Sequence, residues 1–102
     1  MNFTIELKLE ANGKGAFVIE QGDKRMAEMG IGISGGNIII YHTEVSQELK
    51  GQGIAPKLLA TMVQYARDHN LKVIALCTYV SSQFKRHPEQ YADIWNEGWH
   101  KT

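Results

Sequence analysis

One transition constrains this chain more than any other. Up to Val45 apolar residues recur at every second position, and after Gly53 they recur at helical spacing. The switch is made inside a basic, glycine-containing turn, Lys50-Gly51-Gln52-Gly53. A strand that leads through such a turn into a helix, with a second apolar run behind it, predicts a strand–helix–strand unit spanning Tyr41 to Val80. Its two strands are expected to lie parallel in one sheet. In an open sheet ligands favour the carboxyl ends of strands, which is where this turn falls.

The residues before the turn read as an antiparallel meander. Phe3, Ile5, Leu7 and Leu9 alternate with Thr4, Glu6 and Lys8, the period of a half-buried strand. Asn12-Gly13 is a hairpin signal, and "AFVIEQ" is the returning strand. "QGDKR" turns into a third strand, "MAEMGIGI", and Ser34 to Asn37 turn into a fourth, "IIIYHTEV", predicted to be buried on both faces near its start. Beyond Gly53, Pro56 fits a first helical turn, and Leu58, Leu59, Met62, Val63 and Ala66 form an apolar stripe. His69-Asn70 ends that helix. "LKVIALCTYV" predicts a fifth strand, apolar enough to be central. The remainder, from Ser81, reads as two helical pieces broken at His87-Pro88. Tyr91, Trp95 and Trp99, at four-residue spacing, read as a stripe closing the core. The expectation is one α/β (α+β) domain over residues 1–102 with a mixed sheet.

Composition excludes several functions. Eleven Lys plus Arg balance eleven Asp plus Glu, so there is no global attraction to nucleic acid or anionic membrane, and any anion site must be local. The single cysteine, Cys77, allows no intramolecular disulfide and suits a reducing compartment. No signal peptide and no membrane-length apolar run are visible, and a cytoplasmic protein is expected. The four histidines are scattered and no Cys/His set has zinc spacing, so no metal is expected. "GIGISG" (Gly30 to Gly35) matches G-x-G-x-x-G, but strand-like residues follow where a dinucleotide site needs a helix. Those glycines read as hairpin residues.

"KGQGIA" supports two readings by pattern. It is either a loop with solvated lysines or an anion cradle, in which inward backbone amides and a helix start supply positive potential. "ELKGQGIAPKLL" resembles the acyl-CoA-binding motif Q/R-x-x-G-x-G/A of the GNAT acetyltransferase superfamily. Lys50, Gly51, Gln52, Gly53, Ile54 and Ala55 match it, with Lys50 where Gln or Arg is usual. Lysine keeps the charge and loses the planar fork. From Ile38 to Trp95 the chain is similar to short, stand-alone GNAT-like proteins that carry a cysteine on strand five.

This resemblance implies a trimmed GNAT fold, splayed between strands four and five, with acetyl-CoA or coenzyme A in the gap. It implies backbone amides of Gln52 to Ala55 on the pyrophosphate, and Glu44 and Val45 beside the pantetheine arm. Val45 is the candidate for polarising the thioester carbonyl. Lys85 and Arg86, in a basic run with His87, are candidates for the nucleotide end or else a solvated helix face. The implied activity is acetyl transfer to a primary amine: a protein lysine, an N-terminus or a small amine. The alternative is a CoA or acyl-CoA binding or sensing module with little turnover. A monomer or weak homodimer is expected.

Cys77 is either a small buried apolar residue or, as the resemblance implies, a nucleophile that takes the acetyl group first. His42 would activate it if strands four and five lie in suitable register. His42 and Glu44, two apart and so on one face, are the candidates for taking the amine's proton. The tyrosine many GNAT enzymes use to protonate the departing thiolate aligns with Phe84, which cannot donate. Tyr79 and Tyr91 are nearby in sequence.

Overall fold

A computed structural model describes residues 3–98. Five strands lie in chain order: β1 (Glu6–Leu9), β2 (Lys14–Gln21), β3 (Lys24–Ser34), β4 (Asn37–Val45) and β5 (Lys72–Ala75). The first four pair antiparallel and β5 joins β4 in parallel, as the meander and the strand–helix–strand pattern predict. Helix α1 (Ile54–Asp68) makes the crossover, and α2 (Thr78–Arg86) and α3 (Pro88–Tyr91) follow β5. The hairpin signals are used as read. Gly13, Gly35 and Gly36 all take positive φ in the turns, and a strand follows "SGG". Asn70 takes the left-handed conformation just past α1, with φ 54°.

The helices share one face of the sheet. The α1 stripe Leu58, Leu59, Met62, Val63 and Ala66 packs in one cluster with Phe17, Ile19, Met29, Ile31, Ile38 and Ile40 from the strands and with Val80, Phe84 and Tyr91. Tyr65 meets Phe17 edge to face, and Phe84 stacks on Tyr91 at 4.4 Å. Trp95 packs edge-on against Phe84. Trp99 lies outside the described residues. The other face carries no helix. Ala16, Val18 and Ile74 are buried there outside the main cluster, while Tyr41 and Leu76 stay nearly half exposed.

Three expectations are corrected. β4 is not buried on both faces at its start: Ile38 and Ile40 are fully buried and Ile39 only partly, because only one face has helices over it. β5 spans Lys72–Ala75 rather than Leu71 to Val80, and Cys77 sits past it, as the residue before α2. An apolar run cannot distinguish strand from buried helix, and Tyr79, Val80 and Phe84 are the inward side of α2. β5 is also an edge strand. Its apolar character has another cause: the chain after α3 returns along its outer edge. There Val73 N–H donates to Ile94 O at 2.7 Å and Asn96 N–H to Val73 O at 2.9 Å.

Candidate functional site

β4 is paired on both sides only over its first half. Asn37 to Ile40 match Lys72 to Ala75, and the Cys77 amide adds a bond to Ile40 O at 2.8 Å. From His42 on, β4 pairs with β3 alone. The strands part here because β5 stops and α2 begins. A cleft of about 850 Å³ occupies the parting, lined by Thr43, Glu44 and Val45, by Met26 and Glu28 of β3, by the Lys50–Pro56 loop and by Tyr79.

The loop is built to expose amides. Ser46 starts a single 3₁₀ turn, Gln47–Leu49, and its hydroxyl accepts from Glu48 N–H. Gly51 and Gly53 then take left-handed angles, φ 84° and 70°, which a β-carbon would disfavour. Gly53 caps α1 without a side-chain bond. Within the described residues the amides of Gly51, Gly53, Ile54 and Ala55 have no protein acceptor. The first two amides inside a helix never find one in the helix itself, and they carry its positive end. Gln52 differs, its N–H donating to Leu49 O at 3.3 Å. Lys50 is exposed, has an extended backbone and lines the cleft.

A register shift divides the catalytic candidates. β3 and β4 slip by one residue between Gly30–His42 and Ile31–Ile40, leaving Tyr41 as a bulge. Without it, His42 and Glu44 would share the buried face of Ile38 and Ile40. With it they turn to the helix-free face, and Thr43 and Val45 turn inward. His42 and Glu44 are thus together, as their spacing predicts, and Glu28 joins them, the three ligand-type atoms within 4.8 Å of one another. His42 Nε2 lies 2.6 Å from Glu28 Oε2, and Arg25 Nη1 donates to Glu28 Oε1 at 3.2 Å. The bond to His42, with Arg25 behind it, holds the Glu28 carboxyl below its ordinary value against partial burial. Glu28 carried no signal in the sequence, since only the β3–β4 register brings it to His42.

Cys77 does not meet His42. It is 4% exposed, and its sulfur is 3.4 Å from Thr43 Oγ1. The expected His42–Cys77 pair fails because the bulge sends residue 42 to the opposite face. Phe84 is fully buried, whereas Tyr79, on the first turn of α2, reaches the cleft. Burial, with Tyr91 and Cys77 nearby, pushes the Tyr79 hydroxyl above its ordinary value. Lys85 and Arg86 are exposed on the last turn of α2, outside this cleft and outside the groove next to it. The neighbouring groove between α1 and α2–α3 is lined instead by Gln83, His87 and Arg67.

Known proteins resemble this chain in sequence and fold. Residues 16–94 match a family model described as GCN5-related N-acetyl-transferase. N-acetyltransferase 8B of Homo sapiens is 32% identical over 66 residues, covering 55% of this chain and 29% of its own length. The chain therefore spans under a third of that curated relative. The solution structure of a GCN5-like candidate N-acetyltransferase from Staphylococcus aureus superposes with a TM-score of 0.65 at 32% identity, covering 94% of this chain and 96% of that one.

Proposed function

Because the chain belongs to the GCN5-related N-acetyltransferase family, we propose that it transfers an acetyl group from acetyl-CoA to a primary amine. One observation carries this reading. A single cleft runs from four unpaired amides at the start of α1, along the free edge of β4, to the rim where Glu28 and Glu44 stand beside His42.

The residues fit acetyl-CoA. The amides of Gly51, Gly53, Ile54 and Ala55 are directed acceptor sites for a pyrophosphate, reinforced by the α1 dipole and by Lys50. The free backbone edge of β4 at Glu44 and Val45 offers amide partners to an extended arm, as an added strand would. When bound, acetyl-CoA supplies an activated acyl carbon and a thiolate leaving group. His42 takes the proton that the attacking amine must lose, with Glu44 drawing the cationic amine toward it. Tyr79, kept protonated, returns a proton to the thiolate.

The Thr43–Cys77 contact favours a second reading. The Cys77 thiol would accept the acetyl group, releasing CoA thiol, and then pass it to the amine as an amide. Mass spectrometry after incubation with acetyl-CoA separates the two routes. One acetyl group on Cys77 supports the covalent route, and unmodified Cys77 in a protein still transferring acetyl supports the direct one. The whole reading is tested by titrating CoA into labelled protein. Backbone amide signals of Gly51, Gly53, Ile54 and Ala55 are expected to move, and their indifference to CoA defeats it.

A further inference from the structure

His42 is held more firmly than an exposed side chain needs to be. Gly30 faces it across the sheet, and a β-carbon built there would lie 2.4 Å from His42 Cε1, 2.9 Å from Nδ1 and 3.0 Å from Nε2. The ring therefore rests over bare β3 backbone, in the space a side chain would take. Its Nε2 meets Glu28 Oε2 at 2.6 Å. Glu28 cannot swing away freely, since Arg25 Nη1 holds its other oxygen. Arg25 is anchored in turn by Glu20 at 3.2 Å, and Glu20 by Lys8 at 2.7 Å. The chain Lys8–Glu20–Arg25–Glu28–His42 crosses four strands on the helix-free face.

An ionised carboxylate can only accept a hydrogen bond, so Nε2 is the nitrogen that carries the proton. Nδ1 has no partner among the described residues, and in the neutral ring with Nε2–H it is the nitrogen that holds the lone pair. We propose that Glu28 is a positioning residue for acetyl transfer, fixing the His42 imidazole in its Nε2–H tautomer so that Nδ1 receives the amine's proton. This rests on the reading of His42 as the proton acceptor. The logic is that of any carboxylate that orients a catalytic imidazole: with the wrong tautomer the ring is present and idle. The charged groups facing His42 are Glu28 and, through it, Arg25 from β3, and Glu44 from its own strand. Glu20 and Lys8 close the far end.

The test compares His42→Ala, Glu28→Ala, Glu28→Gln and the double variant Glu28→Ala/His42→Ala. Acetyl transfer to a lysine-containing peptide is followed by thiol release. Glu28→Ala is expected to lower kcat at least about tenfold with the KM for acetyl-CoA unchanged. Glu28→Gln, whose amide oxygen still accepts from Nε2, is expected to recover part of that loss. The double variant should cost no more than His42→Ala, because the two act as one unit. In the unmodified protein, 15N imidazole spectra should show one Nε2-protonated species, replaced by a tautomer mixture in Glu28→Ala. This spectrum needs no acceptor and also shows whether the variant remains folded. A single tautomer that survives Glu28→Ala overturns the proposal, as do multiplicative losses in the double variant. An unchanged kcat in Glu28→Ala, beside a slowed His42→Ala, overturns it alone. An unchanged kcat in His42→Ala removes the underlying reading as well.

Discussion

The two halves of β4 are one strand doing two jobs. Ile38 to Ile40 are paired on both sides, and Ile38 and Ile40 are wholly buried under α1. Beyond the Tyr41 bulge, His42 to Val45 are paired on one side, and the segment carries Tyr, His, Thr and Glu toward solvent or the cleft. The boundary is a bulge and the end of β5. Each changes one thing: the bulge changes which side chains face the helices, and the missing partner frees a backbone edge. Stability and chemistry are thus separated along nine residues, and substitutions on either side of Tyr41 should fail in different ways.

The largest effect should come from the buried half. Ile40→Ala leaves a cavity in a fully buried site and should cost about 2–5 kcal/mol, read as a lower midpoint in urea unfolding. The remaining folded protein should keep its affinity for CoA. Gly30→Ala is the converse. Its β-carbon strikes only the His42 ring, a half-exposed side chain that can turn out to solvent once its bond to Glu28 breaks, so the melting temperature should hardly move, while acetyl transfer falls about tenfold or more as His42 is evicted. A large loss of stability with normal turnover would erase the distinction between the halves. Gly53→Ala should cost roughly 1 kcal/mol at the left-handed position and weaken CoA binding by calorimetry, because the α1 amides shift. Acid should act next. Glu28 is held below its ordinary value of 4.5, so its contribution to stability is complete above that pH and fades as the pH falls through the lower folded value. Removing Arg25 by Arg25→Ala should flatten this acid dependence in thermal melts. The smallest change is expected from Lys85→Ala/Arg86→Ala. These exposed charges should contribute about 0.5 kcal/mol to CoA affinity, lost in high salt.

The sequence was informative where signals are local. Asn12-Gly13, the apolar stripe of α1 and the His87-Pro88 break depend on near neighbours, and each reappears in the structure; the alternation from Phe3 to Leu9 reappears in part, with β1 starting only at Glu6 and Leu9 exposed at the sheet edge. The glycine turn is likewise legible, since positive φ at Gly51 and Gly53 is a property of the residues themselves. What failed depends on pairing between distant segments. The two-residue period predicts that His42 and Glu44 share a face, but not which face, because the bulge at Tyr41 belongs to the β3–β4 register. For the same reason Glu28 was invisible and Cys77 was given the wrong companion. The end of β5 was misjudged because a strand and the inner side of α2 are equally apolar.

The return of residues Ile94 to Asn96 along β5 has a consequence for assembly. A sheet that grows by adding copies must offer two open edges, one to receive and one to extend. Here, among the described residues, the β5 side is capped at Val73 by its own chain, and the open edges are the four residues of β1 and the free half of β4 inside the cleft. A second copy adding to this sheet would therefore pair at β1 rather than at Val73 of β5.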